Sequence, residues 1–224
     1  MNVYFISGFC TSCSIYSNVP LPPRFNKIYL DWLEPEPDEP LVAYAKRLTA
    51  PVDTTKPFAL VGLSFGGMVA QVALQWLKPE QVIIISSVTS HRRIPALYRA
   101  TGRLRLYKTV TRGMVNTFRP VVDWFIGAKR NPEELAMLHK TVRQLSPRLL
   151  RWSMEQVTLR WKQDKPLQRL YHIHGANDRL LPVGSMKPDV LIKGGSHFMI
   201  VSHGKEIGDL IAKRLGEVVE PAVA

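Results

Sequence analysis

Short apolar runs alternate along the chain with segments of helical periodicity. The runs are rich in Val, Ile, Leu, Phe and Tyr, which is typical of strands, and the continuous apolar run at 82–85 indicates a strand buried on both faces. Strands that alternate with helices predict an α/β fold with a parallel sheet and right-handed crossovers. The six predicted strands are 3–6, 27–31, 58–61, 81–86, 167–174 and 189–193.

Helices are predicted wherever apolar residues recur at spacings of three and four. Leu41, Tyr44, Ala45 and Leu48 form one such face, and further helices are predicted at 68–77 and 204–215. Each of these helices lies beside a predicted strand, so the pattern places helices against the sheet.

Residues 91–165, between the fourth and fifth predicted strands, have helical character throughout. Asn-Pro-Glu-Glu at 131–134 combines a capping residue, a proline and two acids, which predicts a helix start. Ser-Pro at 146–147 predicts another start, with a helix that reaches about Trp161. Because an unstructured loop of this length is uncommon in a compact domain, we expect an inserted helical cap at 91–165 on a core formed by 1–90 and 166–224.

Length and composition favour one domain with its own core. The chain has 224 residues, of which 46% are hydrophobic. No apolar run approaches the roughly 20 residues that span a membrane, and the first residues lack the basic segment of a secretory signal. We therefore expect a cytoplasmic protein without a membrane span.

Metal and redox chemistry are disfavoured. Cys10 and Cys13 have C-x-x-C spacing, but no thioredoxin-like context follows, and no second pair completes a zinc site, so incidental placement is the favoured interpretation. His172 and His174 alternate with an isoleucine in a predicted strand, without a cluster of carboxylates or cysteines. We expect no metal and no cofactor.

The positive charge is concentrated in the predicted cap. The net charge is +12, and residues 91–165 contain 17 Lys and Arg against 5 Asp and Glu, so this segment carries all of the surplus. A solvated basic surface is one interpretation. The other is attraction to an anionic partner: an acidic acyl carrier protein, a coenzyme A thioester or an anionic lipid. No nucleic-acid recognition module is visible.

The segment GLSFGG, residues 62–67, lies between a predicted strand and a predicted helix. Gly-x-Ser-x-Gly at such a junction is typical of a nucleophile elbow, in which the serine adopts a strained backbone that costs about 1–3 kcal/mol. The same pattern also occurs in plain strand–turn–helix connections. The elbow interpretation therefore needs support from elsewhere in the chain.

That support comes from an acid and a histidine that follow two later strands. Asp178 comes just after the fifth predicted strand and His197 just after the sixth. Because the carboxyl ends of parallel strands share one edge of a sheet, we expect both residues near Ser64. A serine needs a base, and the base needs an orienting group, so these three residues predict a site of nucleophilic catalysis.

Simpler interpretations exist for both residues. Asp178 could be an ordinary turn aspartate and His197 an ordinary loop histidine. Asp189 is another late acid, but it precedes its strand and would lie at the opposite edge. His203 is an alternative base that lies within or near the last predicted helix.

Three motifs in this order, GLSFGG, HGANDRLLP and GGSHFMI, resemble the α/β-hydrolase superfamily and cover both ends of the sheet domain. The resemblance implies the α/β-hydrolase fold, with a mostly parallel six-stranded sheet flanked by helices and an inserted cap. It also implies that Ser64 is the nucleophile, His197 the general base and then acid, and Asp178 the residue that orients His197.

The chain departs from the family pattern near its first strand. The hairpin that precedes this strand in many relatives is absent, and Ser7-Gly8 stands where the family usually has His-Gly. By resemblance, one oxyanion-hole N–H comes from Phe9, with Cys10 as the neighbouring alternative. The second should come from Phe65, at the start of the elbow helix.

The layout of the chain is similar to that of the pimeloyl carrier-protein methyl ester esterases of biotin synthesis, whose caps carry carrier-binding arginines. The candidate substrate- or partner-binding residues in the cap are Arg143, Arg148, Arg151, Trp124 and Trp152. The sequence thus predicts a serine carboxylic-ester hydrolase that acts through an acyl-enzyme, on a small or carrier-bound ester. An acyl thioesterase uses the same residues, and a non-catalytic binding protein of this fold is the alternative from another class.

Overall fold

The sheet has six strands that are all parallel. In the computed structural model, the described residues are 1–9, 11–127, 131–144, 146–161, 170–184 and 186–219. The strand order across the sheet is β2-β1-β3-β4-β5-β6. The chain thus adds β2 on one side of β1, and then adds β3 to β6 in succession on the other side. The strands are β1 (Asn2–Ile6), β2 (Asn26–Leu30), β3 (Phe58–Leu63), β4 (Gln81–Ile85), β5 (Leu170–Gly175) and β6 (Val190–Ile192).

Eight α-helices connect or flank these strands in the described parts of the chain. They are α1 (Leu41–Leu48), α2 (Phe65–Ala73), α3 (Ala96–Arg103), α4 (Arg112–Thr117), α5 (Arg119–Ile126), α6 (Pro132–Gln144), α7 (Pro147–Glu155) and α8 (Gly204–Val219). Helices α3 to α7 fall between β4 and β5, as the sequence predicts. The predicted α/β-hydrolase architecture is therefore confirmed.

Side chains alternate between two apolar layers, one on each face of the sheet. In β3, Leu60 packs into the layer that contains α1 and α2, whereas Val61 packs into the layer that contains α8. All five residues of β4 are buried, which confirms the prediction from its continuous apolar run. Burial of one such side chain stabilises the fold by about 1.5–3 kcal/mol. The central strands thus form the rigid base on which the loops at the carboxyl edge stand.

The apolar run predicted wrong bounds for α2, although the elbow motif correctly placed Phe65 at the start of this helix. The helix begins at Phe65 rather than at 68, so its first turn contains two glycines, one packed against the carbonyls of Ile6 and Ser7 and the other against the side chain of Ser87. It ends at Ala73, and residues 74–76 continue in tight turns.

The starts of α6 and α7 agree with the sequence prediction. Asn131 Oδ1 accepts hydrogen bonds from the backbone N–H groups of Glu133 and Glu134, at 2.9 and 3.2 Å. Ser146 Oγ caps α7 in the same manner, with 3.2 Å to the N–H of Arg148. These caps satisfy N–H groups that have no partner within the helix.

Trp152 anchors α7 on the sheet domain. Its ring lies 4.2 Å from the ring of Tyr44 and 6.0 Å from that of Phe65. Its indole N–H donates to the carbonyl of Glu39, at 2.7 Å. Residues 91–165 as a separate cap domain stay a prediction, but this contact shows how tightly one inserted helix joins the core.

Cys13 is a buried thiol with a raised pKa. Burial, followed by the charge of Asp31, raises the pKa of Cys13 to about 12. The thiolate that redox exchange requires is therefore disfavoured at neutral pH. Cys10, the other member of the C-x-x-C pair, lies outside the described residues.

Within the described parts of the chain, no helix is both long enough and apolar enough to cross a membrane.

Trp152→Ala should lower the free energy of unfolding by about 3–5 kcal/mol, because it leaves a cavity between α7 and the core. Urea unfolding followed by circular dichroism measures this. Trp124→Ala is the matched control, since that side chain is 48% exposed, and it should cost about 1 kcal/mol or less. Equal losses in the two variants would contradict the anchoring role of Trp152.

Candidate active site

Ser64 occupies a strained turn between β3 and α2. Its backbone has φ 51° and ψ −116°, a conformation that non-glycine residues rarely adopt. A Cβ on Gly62 would lie 2.5 Å from the backbone of Gly66, and a Cβ on Gly66 would overlap the carbonyl oxygens of Ile6 and Ser7. The two glycines are thus required by close backbone contact, as expected for an elbow.

The end of β4 and the loop just after it hold the strained residue in place. The N–H of Ser64 donates to the carbonyl of Ile85, at the end of β4, at 2.8 Å. The carbonyl of Ser64 accepts from Ser87 Oγ at 2.7 Å. A Cβ on Gly67 would lie 2.6 Å from Ser87 Oγ, which explains why position 67 is also a glycine. Sequence reasoning missed Ser87, although its position just past the end of β4 could have suggested it.

The loops after β5 and β6 are joined by backbone hydrogen bonds. Ala176 donates to the carbonyl of Ile192 at 2.9 Å, and Asn177 donates to the carbonyl of Gly195 at 2.8 Å. Since Asp178 follows the first loop and His197 the second, these bonds bring the acid and the histidine together. The prediction that both lie at the carboxyl edge near Ser64 agrees with this placement.

Ser64, His197 and Asp178 form one hydrogen-bonded chain. His197 Nε2 lies 3.0 Å from Ser64 Oγ, and His197 Nδ1 lies 2.7 Å from Asp178 Oδ2. Asp178 and His197 are 5% and 6% exposed, so water has little access to the contact between them. Asp178 Oδ1 accepts from the N–H of Leu181 at 2.7 Å, so both carboxylate oxygens have donors.

The pKa of Asp178 is lowered to about 2. Burial by itself would raise the pKa, but the positive charge available on His197 and hydrogen bonds from His174 and His197 outweigh burial. The carboxyl group is therefore ionised at neutral pH and accepts the Nδ1–H of His197. That leaves Nε2 of His197 free to accept a proton from Ser64.

The alternative acid and base lie elsewhere. Asp189 precedes β6, as the sequence indicates, and its carboxylate accepts from the backbone N–H of His172 at 2.7 Å. His203 Nδ1 contacts the hydroxyl of Ser202 at 2.8 Å, at the start of α8. Neither residue joins the chain that contains Ser64.

The loop after β1 is pinned beside Ser64 by Trp32. The carbonyl of Gly8 accepts from Trp32 Nε1 at 3.0 Å and from the hydroxyl of Thr11 at 2.9 Å. The ring of Trp32 also stacks on Phe65, with 5.4 Å between centroids and 12° between planes. One side chain thus fixes both segments to which oxyanion-hole donors were assigned, and sequence reasoning missed it.

Phe9 and Phe65, the predicted sources of those donors, both line the cavity at Ser64. Phe65 is the first residue of α2, where a backbone N–H has no helical carbonyl to bond. A Cβ on Gly8 would lie 3.5 Å from Cβ of Ser64, so the residue before Phe9 is in direct contact with the elbow. Cys10 lies outside the described residues.

A cavity of about 420 Å³ opens at Ser64 and His197. Its described lining contains no Asp, Glu, Lys or Arg. The walls come from the sheet domain and from the inserted helices, and include Met68, Tyr98, Phe125, Leu138, Leu150 and Met154. An apolar chamber of this kind fits an acyl or alkyl group.

The five candidate substrate- or partner-binding residues of the predicted cap do not lie together at the cavity. Neither tryptophan is among the described residues that line the cavity: Trp152 is in the core, and Trp124 is half-exposed with the guanidinium of Arg179 4.6 Å from its ring. Arg148 and Arg151 are exposed on α7 beside a separate groove. The side chain of Arg143 lies outside the described residues.

An acidic segment of the sheet domain faces these arginines. The groove contains Glu36, Asp38 and Glu39 as well as Arg148 and Arg151. Arg148 Nε is 3.8 Å from Glu34 Oε1, and Glu34 also accepts from Ser146 Oγ at 2.7 Å. Part of the positive charge on α7 is thus balanced within the molecule.

The inserted helices also contact the loop that carries His197. The N–H of His197 donates to the carbonyl of Ile126, at the end of α5, at 3.1 Å. The buried carboxylate of Glu134 on α6 accepts from Ser196 Oγ at 2.7 Å and from Ser202 Oγ in a very short contact. The sequence marked Glu134 only as a helix-start acid, so its contact with this loop was missed.

The fold and this constellation define a protein of the α/β-hydrolase class. The sequence model of the alpha/beta hydrolase family matches residues 3–210, and the chain belongs to that family. Comparison of the sequence with curated proteins finds no significant match.

Solved structures share the fold at low sequence identity. An esterase from Thermogutta terrifontis superposes with a TM-score of 0.80 at 17% identity, covering 97% of this chain and 90% of that one. MenH from S. aureus gives 0.72 at 14% identity, with 98% and 94% covered. An enol-lactonase from Burkholderia xenovorans LB400 gives 0.66 at 14% identity, with 96% and 90% covered.

Asp178→Asn should lose stability relative to wild type in a pH-dependent manner. Because the pKa of Asp178 is lower in the folded protein, its contribution is fully present above about pH 4 and is lost as pH falls towards 2. Urea unfolding of both proteins between pH 7 and pH 3 should therefore show a difference that narrows below pH 4. Asp38→Asn, the same chemical change at an exposed turn, is the control. A difference that stays constant across this range would contradict the lowered pKa.

Proposed function

We propose that this protein is a serine carboxylic-ester hydrolase that works through an acyl-enzyme. The observation that carries the proposal is the continuous hydrogen-bonded chain from Ser64 through His197 to Asp178 at the mouth of an apolar cavity. A binding protein would have no need of a strained serine paired with an oriented histidine.

In the first half-reaction, Ser64 Oγ attacks the ester carbonyl carbon while His197 Nε2 takes the hydroxyl proton. Asp178 stabilises the imidazolium that forms, through the 2.7 Å hydrogen bond to Nδ1. His197 then gives this proton to the departing alkoxide oxygen, and the acyl group stays on Ser64. In the second half, water attacks the acyl carbonyl carbon while His197 takes one of its protons. His197 then returns this proton to Ser64 Oγ as the bond between Ser64 and the acyl group breaks and the acid leaves.

The negative charge on the carbonyl oxygen needs donors in both halves. We assign them to the backbone N–H groups of Phe65 and Phe9, on the two segments that Trp32 holds together. Fixed donors of this kind do not reorganise during the reaction, which is the source of their effect.

The cavity favours a neutral, apolar acyl or alkyl group, because its described walls offer no charged side chain to pair with a carboxylate. An anionic part of the substrate would have to lie outside it. A carrier-bound ester satisfies both conditions: its acyl chain enters the cavity, and its acidic carrier meets the basic surface of residues 91–165. This finer form of the proposal is supported by the charge distribution alone.

Ser64→Ala should lower turnover of any accepted ester by about four orders of magnitude or more, because the nucleophile is removed. The measurement is a panel of p-nitrophenyl esters and acyl thioesters of increasing chain length, run with wild type and variant. A fluorophosphonate probe should label wild type and leave the variant unlabelled. Substantial activity in Ser64→Ala would overturn the mechanism, and preference for thioesters would change the assignment to acyl thioesterase. No turnover and no labelling of wild type would favour the binding-protein alternative.

Arg148→Glu combined with Arg151→Glu should reduce kcat/KM for a carrier-protein-bound ester by roughly tenfold, because exposed charges act mainly on association. Hydrolysis of a short p-nitrophenyl ester should change little. Lys205→Glu, an exposed charge reversal on α8, is the matched control. Equal losses on both substrates would reject a carrier surface on α7.

A further inference from the structure

Large apolar side chains are exposed mainly on the inserted helices. Single exposed apolar residues are normal on any protein surface, whereas a cluster of them marks an interaction site. Among the described residues, ten large apolar side chains are exposed, and seven of these ten lie between residues 97 and 124. The most exposed of the seven are Leu104, Leu97 and Phe118.

The elements that carry these residues stand around the same cavity. The turn at Leu106–Thr109 contacts α3, and α4 contacts α5. Tyr98 of α3, Val110 after the turn and Val121 of α5 all line the cavity at Ser64. The exposed apolar residues at 97–124 are therefore grouped on the helices that form one wall of the cavity.

One side of α5 shows the grouping most clearly. Phe118, Val121 and Trp124 recur at every third position, and residues at this spacing are neighbours on a helix. All three are exposed. They form an apolar stripe that no described part of the chain covers.

The same stretch is basic and exposes no acid of its own. Residues 91–127 contain seven Arg and one Lys against a single acid, Asp123. Asp123 is buried, and both of its carboxylate oxygens contact His139 Nε2, at 3.1 and 3.0 Å. The stretch therefore contributes only positive charge to the surface, unlike α7, where Arg148 faces Glu34.

Basic and apolar side chains are interleaved rather than separated. Residues 103–106, Arg-Leu-Arg-Leu, are all exposed at the end of α3, and Leu104 is 71% exposed. At α5, the guanidinium of Arg179 lies beside the ring of Trp124. Aromatic rings and aliphatic side chains with adjacent cations are typical of surfaces that lie in the interfacial region of an anionic membrane.

Protruding side chains favour a bilayer over an acidic protein as the partner. A folded partner must offer a shaped pocket to each of them, whereas fluid lipid accommodates any apolar side chain that leaves water. The arginines beside them match the negative charge of lipid phosphates. Charge and apolar exposure thus point to the same partner.

The cavity adjoins this surface at Val121. This residue is exposed and also lines the cavity, together with Val122 and Phe125 of the same helix. An acyl chain that left a bilayer here would pass from lipid to apolar walls without being transferred into water.

We propose that residues 97–124 form a docking surface for an anionic lipid bilayer, and that the ester enters the cavity from this bilayer past Val121. The entry of substrate rests on the proposed function, whereas the docking does not. The docking surface is separate from the groove on α7 at which a carrier protein was considered.

Co-sedimentation of the full-length wild-type protein with vesicles tests the docking. The protein should sediment with phosphatidylcholine vesicles that contain about 30% phosphatidylglycerol, and at least tenfold less with phosphatidylcholine alone. Raising the salt from about 0.1 M to about 0.5 M should weaken the binding, because the lipid charge is screened. No sedimentation with the anionic vesicles at low salt would overturn the proposal, and so would equal binding to the two kinds of vesicle.

The apolar part of the docking surface is tested by Leu104→Ser combined with Phe118→Ser. This double variant should bind anionic vesicles about thirtyfold more weakly, because two side chains no longer leave water. Tyr29→Ser combined with Leu191→Ser, at exposed positions of two sheet strands, is the matched control and should bind like wild type. Equal losses in the two double variants would overturn the assignment of this surface.

The basic part is tested by Arg103→Glu combined with Arg105→Glu. Binding to anionic vesicles should again fall by about thirtyfold or more, because two attractive charges become repulsive. Lys193→Glu combined with Lys205→Glu changes the net charge equally at exposed positions outside the inserted helices. If this control loses as much binding, the attraction comes from the net charge alone, and the docking surface is rejected.

Trp124 reports where the contact occurs. It is the most exposed of the five tryptophans, all of which lie in the described parts of the chain. Its fluorescence emission should move to shorter wavelength when anionic vesicles are added, because the ring leaves water. The shift should be absent in Trp124→Phe, which should still sediment. Sedimentation of wild type without any shift would place the contact elsewhere and overturn the proposal.

Activity separates the docking from the proposed chemistry. A long-chain p-nitrophenyl ester dissolved in anionic vesicles should be hydrolysed with about tenfold lower kcat/KM by the Leu104→Ser and Phe118→Ser double variant than by wild type. A short soluble ester should be hydrolysed equally by both. Equal rates of the two proteins on the vesicle ester would overturn entry from the bilayer.

The two proposals fail in different ways. Ser64→Ala should bind vesicles like wild type, and vesicle binding without turnover of any ester would reject the hydrolase while the docking stands. Turnover of the soluble ester without vesicle binding would reject the docking while the hydrolase stands. Retention on an immobilised acidic carrier protein that depends on Arg103 and Arg105, without vesicle binding, would assign this surface to a protein partner instead.

Discussion

Close backbone contact around Ser64 is the constraint on which the arrangement of the site depends. Gly66 lies against the carbonyls that end β1, and Gly62 lies against the backbone of Gly66 and Gly67. The ends of β1, β3 and β4 and the start of α2 therefore meet around one turn. The strain of Ser64, about 1–3 kcal/mol, is sustained because the end of β4 and the loop just after it bind its N–H and its carbonyl. Everything else at the carboxyl edge is positioned relative to this turn.

The second organising feature is a buried polar chain beside an apolar cavity. Asp178 remains ionised under a nearly closed surface because each of its oxygens receives a hydrogen bond. A carboxylate in such surroundings would otherwise take up a proton. The cavity on the other side of Ser64 has walls without charge, so a substrate carbonyl would meet the reactive groups only at the polar end. This separation of polar and apolar walls is what the proposed ester hydrolysis requires.

The inserted helices do more than cover the edge of the sheet. Trp152 joins α7 to the core near Phe65, and Glu134 and Ile126 contact the loop that carries His197. The same helices therefore supply cavity walls and support both halves of the proposed catalytic chain. A change in the packing of these helices would therefore alter the positions of His197 and of the turn at Ser64, even if no residue that lines the cavity were changed.

Much of this could be predicted from the sequence because the signals are local. Strand positions follow from apolar runs whose side chains fill both faces of the sheet, and the three motifs follow from turns that permit few residue types. The boundaries of α2 were mispredicted because Gly66 and Gly67 are poor helix formers that tertiary contact forces into the first turn. Trp32, Ser87 and Glu134 were missed because each acts through a partner far away in the chain, and no spacing rule connects them.

The class of fold, the order of its elements and the candidate nucleophile, base and acid could be inferred from the amino-acid sequence, since each depends on residue types at strand ends. The surroundings of these residues became apparent only in the folded protein. The fold placed Trp152 in the core rather than on the cavity wall, and set acidic residues of the sheet domain against Arg148. It also placed His172 and His174, two buried histidines of β5, in line with Asp178. The reason is physical: hydrogen bonding, burial and charge pairing depend on distances between residues that the linear order leaves open.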